Sequence, residues 1–314
     1  MEVPPTFFEL FFAIIPLFCI GVLGFYFRKH GGMCAHADAT ILWLLLNLFA
    51  PCLIIDSFLG NKGLDNFGSV VMAPLLGFGT VLVGIACTRL VGRFLDFREE
   101  GQQGTFDLSV ALYNYGYIPI PIILLFFGND VLGMLFVYNV GMEISLWTVG
   151  VLLLAGRASL RETLKRIINP PLIAIFLCLI ANAYFLENPL PLSLARLVHM
   201  MGQATVPMAL LLVGATIFDN FSSIRVLRPF KPVAAGILLR LLVIPAIFVA
   251  MAYLLPIPPS LKTVLCVQAG MPSAVLPAML VRQHGGDLSM AVRIIVATSI
   301  LSLITMPAWL SFVL

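Results

Sequence analysis

The 314-residue sequence predicts an all-α membrane protein: ten transmembrane helices in two inverted five-helix repeats, the fourth and ninth broken where they cross. Three observations carry this reading. The chain is 61% hydrophobic and only 11% charged, with mean hydropathy +1.05, whereas soluble domains are about a quarter charged. Two apolar stretches long enough to span a bilayer carry paired prolines, ALYNYGYIPIPIILLFFGND with Pro119 and Pro121, and CVQAGMPSAVLPAMLVRQHGGD with Pro272 and Pro277. Similar segments also recur about half a chain apart.

Each element follows from length. At roughly 20 residues per crossing, apolar segments fall at 6–27, 39–58, 69–91, 105–127, 131–155, 170–186, 202–218, 232–255, 261–281 and 290–313. Segments six and seven are short and flank the Pro-rich stretch Glu187–Leu192. The start, MEVPPTFFEL, is acidic, and the first apolar run is too long for a signal-peptide core, so no cleavable leader is expected.

The basic residues orient the spans. Odd-numbered connections hold fourteen (Arg28, Lys29, Arg89, Arg93, Arg98, Arg157, Arg161, Lys165, Arg166, Arg225, Arg228, Lys231, Arg282, Arg293). Even-numbered connections hold three, Lys62, Arg196 and Lys262, and Arg240 lies inside a span. The positive-inside rule then puts the odd connections in the cytoplasm and both termini outside.

Self-similarity sets the domains. IPLFCIGVLGFYF from Ile15 aligns with IAIFLCLIANAYF from Ile173, and NLFAP from Asn47 with QATVP from Gln203. Asp130 and Asp287 close the two Pro-bearing stretches, and Ser145, Leu146 and Thr148 match Ser302, Leu303 and Thr305. All four alignments have offsets of 156 to 158. The repeats are therefore residues 1–156 and 157–314, and an odd number of spans per repeat inverts the second copy.

Proline lacks a backbone donor and clashes with the preceding turn. Irregular backbone at membrane depth persists only where it faces protein or a water-filled cavity. Kinking alone is the competing reading, but paired interruptions at corresponding places in two halves point to a transport site. The expected unwound stretches are Tyr113–Tyr117 and Gln268–Met271, each followed by a half-helix opened by proline. Half-helix N-termini present unpaired N–H groups and a positive dipole end, which suits an anion. Candidate donors are the N–H groups of Ile118, Ile120, Ser273 and Ala274, with the side chains of Asn114, Gln268 and Ser273. Tyr113 and Tyr117, with Tyr115, are either packing or a ligand wall.

Glu143 and Arg240 both lie roughly 12 Å from the inner boundary, at ~1.5 Å per residue across a ~30 Å core. Equal depth suggests an ion pair, and the alternative role is a proton relay. Six cysteines without a CxxC pair behave as small hydrophobes. No HExxH, no GxSxG and no Gly-rich phosphate loop occurs, so neither an enzyme nor a metal site nor a cofactor is expected. Nucleic acid is not an expected partner.

These residues resemble the auxin efflux carrier family. The resemblance runs through KPVAAGILLRLLVIPAIFVA with Arg240, through VQAGMPSAVLPAMLVRQHGGD with its Pro272–Pro277 spacing, and through Asn114 seven residues before Pro121. Plant members carry a proline where this chain has Tyr113, and the short Gly156–Asn169 connection is like that of bacterial members. The resemblance implies an elevator, with spans one, two, six and seven as a dimerising scaffold and the others carrying the site. It implies a homodimer in a cell membrane, a bacterial inner membrane on this likeness, and small organic anions, carboxylates or auxin-like acids, as substrates. Two other readings stay open: a sodium-coupled symporter like the bile acid carriers, which share the inverted plan, and a membrane sensor with a transporter fold.

Overall fold

The computed structural model describes residues 6–59, 61, 64, 66–97, 99, 101–155, 160–184, 190–219 and 230–313. Of the residues used above, Lys62, Arg98, Arg157, Arg225, Arg228 and positions 187–189 of the Pro-rich stretch lie outside these. The fold is helical throughout, and the one β-type pairing among the described residues is an isolated antiparallel bridge between Tyr113 and Ser273.

Thirteen helices follow in order. Helix α1 is Phe7–Lys29, α2 is His36–Phe58, α3 is Phe67–Gly92, α4 is Gln102–Ala111 and α5 is Pro119–Phe126. Then come α6, Gly128–Leu154, α7, Leu160–Ile167, α8, Pro170–Ala183, and α9, Leu192–Asp219. The chain ends with α10, Phe230–Leu254, α11, Pro259–Ala269, α12, Leu276–His284, and α13, Leu288–Val313. Among the described residues, seven of these are long and apolar enough to cross a membrane. Helix α8 is a shorter apolar helix, and the pairs α4/α5 and α11/α12 occupy the two proline-bearing stretches.

Local chemistry explains the ends. Thr6 and Glu9 form a capping box on α1, and Asn66 and Asn169 cap α3 and α8 through their side-chain oxygens, each satisfying an orphan N–H. Helix α9 begins ten residues before the predicted segment. Arg196, His199 and Gln203 dilute its hydropathy, and His199 is bonded within the fold to Asp56 (2.9 Å) and Gln203 (2.7 Å) rather than lying in a connection.

Proline inside a helix frees the carbonyl four residues back. Pro51 and Pro245 each follow a π-type turn, Leu45–Phe49 and Leu239–Val243, where the ladder absorbs an extra residue. The Leu241 carbonyl, which Pro245 cannot bond, is taken by Trp309 Nε1 at 2.9 Å.

Glycines let helices approach closely, as in membrane bundles generally. Helices α1 and α9 touch backbone to backbone: a Cβ at Gly24 would overlap the Leu211 carbonyl, and one at Gly214 that of Gly21. Helices α3 and α6 meet the same way at Gly77 and Gly141. Helices α1, α2, α8 and α9 pack on one another, and so do α3–α6 with α10–α13. The two groups join where α1 lies along α13 and α2 along α6.

Gly214→Val therefore forces α1 and α9 apart and costs about 1–3 kcal/mol, the usual range for overpacking. Gly79→Ala, with open space at its Cβ, leaves stability unchanged or slightly raised. Thermal unfolding in detergent checks both, and equal midpoints for the two variants would refute the tight seam.

Candidate functional site

Two interruptions of regular helix meet in the interior. The backbone leaves α4 at Leu112 and re-enters helix at Pro119; it leaves α11 at Gly270 and re-enters at Leu276. The segments run antiparallel and share two hydrogen bonds, Asn114 N–H to the Pro272 carbonyl (2.8 Å) and Ala274 N–H to the Leu112 carbonyl (3.0 Å). This pairing holds residues 272–274 extended. As a result Pro277, in the first turn of α12, opens the second half-helix, where the sequence had suggested Pro272; Gln268 and Ala269 remain helical. Pro119 opens α5 as expected.

The four amides proposed as anion donors are all occupied. Ile118 N–H donates to Asn114 Oδ1 (3.4 Å), Ile120 N–H to the Gly116 carbonyl (3.1 Å), Ser273 N–H to Thr298 Oγ1 (3.3 Å), and Ala274 N–H to Leu112. Their neighbours stand free instead. The N–H groups of Tyr115, Gly116 and Tyr117 in one break, and of Val275 and Leu276 in the other, make no hydrogen bond among the described residues. These five residues are also only half-buried, whereas Ile118, Pro119, Ile120, Pro272, Ser273, Ala274 and Pro277 are buried and Pro121 is half-buried.

The side chains divide similarly. Asn114 is 9% exposed and caps Ile118 with its oxygen. Gln268 Nε2 and Asn139 Nδ2 both donate to the Tyr115 carbonyl, at 3.1 and 2.9 Å, and Gln268 Nε2 also reaches Asn139 Oδ1 at 3.4 Å. Gln268 Oε1 and Ser273 Oγ are left buried without partners. Gln268 Oε1 can only accept, so it suits a hydroxyl, an N–H or a cation, whereas Ser273 Oγ can donate or accept.

Tyr113 is enclosed by packing. It has no exposure, and its hydroxyl closes a triad with Tyr138 (2.5 Å) and Thr80 (2.9 Å). Its ring face lies 4.6 Å from the Arg240 guanidinium, with Phe248 at 5.7 Å. Tyr117 is half-buried and stays available.

Glu143 and Arg240 do not pair. Arg240 Nη2 donates to the carbonyls of Gln268 (3.3 Å) and Ala269 (3.2 Å), the last of α11. The Glu143 oxygens accept from Tyr115 Oη (2.7 Å) and Trp147 Nε1 (2.9 Å). Depth alone suggested the pair, but the two helices present these side chains to different ends of the crossing. A cation at a helix C-terminus is where the dipole favours it, and the aromatic faces add cation–π attraction in a desolvated setting.

Three residues were missed, Asn139, Trp147 and Asp107. Asn139 and Trp147 recur with Glu143 every four residues and so share one face of α6, a signal present in the sequence. Asp107, fully buried in α4, pairs with Arg89 of α3 at 2.5 Å and accepts from Gln103 at 2.6 Å. Those residues flank the connection between the third and fourth segments, so their shared depth was also readable. Among the described residues no His/Cys/Asp/Glu group is arranged to hold a metal.

Arg240→Met removes the donor from two buried carbonyls and is expected to cost several kcal/mol. Because Glu143 is not its partner, adding Glu143→Gln recovers none of that loss. Denaturation midpoints of the single and double variants check this, and recovery in the double variant would restore the ion pair.

The comparisons with known proteins agree with this architecture. The model of a family described as membrane transport protein matches residues 9–163 and again residues 159–310. An uncharacterized transporter of Methanothermobacter thermautotrophicus is 26% identical over 302 residues, covering 95% of this chain and 96% of that one. An uncharacterized transporter of Methanocaldococcus jannaschii is 24% identical over 301 residues, covering 94% and 96%. The chain is a multi-pass membrane transporter and not an enzyme, and it belongs to this membrane transport protein family, that of the auxin efflux carriers.

Proposed function

We propose that this transporter carries small organic anions, carboxylates in the first instance, bound where the two breaks cross. One observation carries the reading: unpaired, half-buried amides of both breaks lie next to two half-helix N-termini in a hydrogen-bonded crossing. Such ends favour negative charge. Asn114, Tyr117 and the amides from Tyr115 to Tyr117 and from Val275 to Leu276 form the binding set. The buried Tyr113 takes no part in selecting an aromatic acid.

Counting the seven long helices, α8 and the two broken pairs as crossings gives ten spans in two inverted repeats. Helices α1, α2, α8 and α9 then form a scaffold that dimerises, and α3–α6 with α10–α13 carry the site past it as an elevator. The separate packing of these two groups supports this division. The protein resides in the cell membrane with both termini outside.

A sodium-coupled symporter is the second reading. Gln268 Oε1, Ser109 Oγ and Ser273 Oγ, buried without partners, favour it; Arg240, already donating to the Gln268 and Ala269 carbonyls, weighs against it. Uptake of labelled succinate and benzoate into proteoliposomes, with sodium or choline outside, separates the two. Binding of these acids without any flux would favour a sensor instead.

Asn114→Ala is expected to weaken binding of the transported acid by about 1–3 kcal/mol, as when a buried polar group loses its partner. Calorimetric titration reads affinity, and unfolding reads the cap on Ile118 separately. Reduced stability with unchanged affinity would confine Asn114 to capping. Disulfides joining α1 to α13 are expected to stop flux, while those within α3–α6 leave it intact; flux surviving the first kind would end the moving-bundle reading.

A further inference from the structure

Helix α6 ends against α7, and Arg166 of α7 stacks on the Trp147 ring with its guanidinium 4.9 Å from the centroid. Beside this pair opens a cleft of about 170 Å³, bounded also by Leu276, Met279, Leu280 and Gln283. We propose that this cleft is a docking site for the transported anion, occupied before it reaches the crossing. The proposal rests on the anion-transport reading and adds a second, peripheral site to it.

Position is the first argument. Leu276 is both a wall of the cleft and the first residue of α12, and its N–H is one of the unpaired amides at the crossing. Trp147, on the opposite wall, donates to Glu143, and Glu143 accepts from Tyr115 of the other break. The cleft thus touches both breaks, one through its own wall and one through a two-step hydrogen-bonded link. A molecule seated here is next to the crossing without being in it.

Charge is the second. Among the described residues, the one charged side chain lining the cleft is Arg166, and it is exposed. Lys165 and Arg161 on the same helix, and Arg282 near the end of α12, outnumber the single acidic residue of α7, Glu162, and leave this end of the bundle net basic. A low-dielectric cleft with one sign of charge at its mouth concentrates ligands of the opposite sign. The remaining surface is apolar apart from Gln283, and the indole presents an aromatic edge. The fitting ligand is a monocarboxylate on a flat apolar body, its charge toward Arg166 and its body against Leu276, Met279 and Trp147.

Glu143 sets an inner limit on that ligand. Its carboxylate lies one helical turn from Trp147 toward the break, with neutral donors alone as partners. A second negative charge on the ligand would be repelled by it. The peripheral site therefore favours monoanions over dianions.

The test uses Met279, exposed on the rim. Met279→Cys is placed in a chain whose exposed Cys19 and Cys34 are replaced by serine. The thiol is then titrated with an anionic and a cationic methanethiosulfonate in detergent. Relative to a free thiol, the anionic reagent is expected to win by roughly tenfold, as a unit charge near the surface would give. The preference shrinks in high salt, collapses in Arg166→Gln, persists in Arg166→Lys, and benzoate slows the reaction more than succinate does. Equal rates for the two reagents, or a preference unchanged in Arg166→Gln, would overturn the proposal. Slowing by phosphatidylglycerol but not by benzoate would also overturn it and assign the cleft to a lipid headgroup. Because reactivity is read without flux, this outcome is independent of whether the chain moves the acids offered to it.

Discussion

Everything at the centre of this protein depends on one requirement, that a helix interrupted inside a bilayer must find partners for the backbone groups it exposes. Water is absent there, and each unsatisfied group costs several kcal/mol. Neither break meets the requirement alone. Asn114 and Ala274 donate across to Pro272 and Leu112, so each break supplies what the other lacks. The antiparallel sense of that pairing follows if the second half enters the membrane from the opposite side. The crossing is thus a structural necessity first, and the amides left over after pairing are those the proposed site uses.

The two halves solve the remaining problem differently. At the C-terminal end of α11 the exposed carbonyls take a fixed cation, Arg240, sandwiched between those carbonyls and the rings of Tyr113 and Phe248. Tyr113 belongs to the other break, and its hydroxyl is locked by Tyr138 and Thr80. A charge donated by one half of the chain is therefore held by an aromatic side chain of the other. In the first break it is the Tyr115 carbonyl that needs donors, and neutral ones serve, Asn139 and Gln268. Sequence similarity between the halves does not extend to how their breaks are stabilised, which gives the crossing two chemically distinct sides.

Much of this was legible in the sequence. Apolar length located the helices, and paired prolines located the breaks, because proline's missing donor acts within its own turn. What the sequence could not supply was partnership. Asn114, Ile118 and Ser273 were recognised as polar or unpaired groups near a break, yet whether each faces a ligand depends on partners such as Pro272, 158 positions from Asn114, and Thr298, 25 positions from Ser273. Glu143 and Arg240 illustrate the same gap. Equal depth is a one-dimensional property, while pairing needs the helices to turn the two side chains toward each other, and they do not. Where periodicity carried the information, as for Asn139, Glu143 and Trp147 on one face of α6, the sequence held the answer and a helical reading would have found it.

The charged groups in these segments also differ in what a proton could do to them. Arg240 is bound to two carbonyls and two rings, and a neutral side chain there would leave the α11 carbonyls poorly served. Asp107 faces Arg89, so protonating it would leave a guanidinium without its counter-charge. Glu143 has neither constraint. Its partners, Tyr115 Oη and Trp147 Nε1, are neutral donors, and a protonated carboxyl keeps one acceptor oxygen for them while gaining a donor of its own. A change of charge at Glu143 would loosen Tyr115, and with it a break, without stranding an opposite charge nearby. If proton movement is coupled to transport in this chain, Glu143 is the group whose environment permits it.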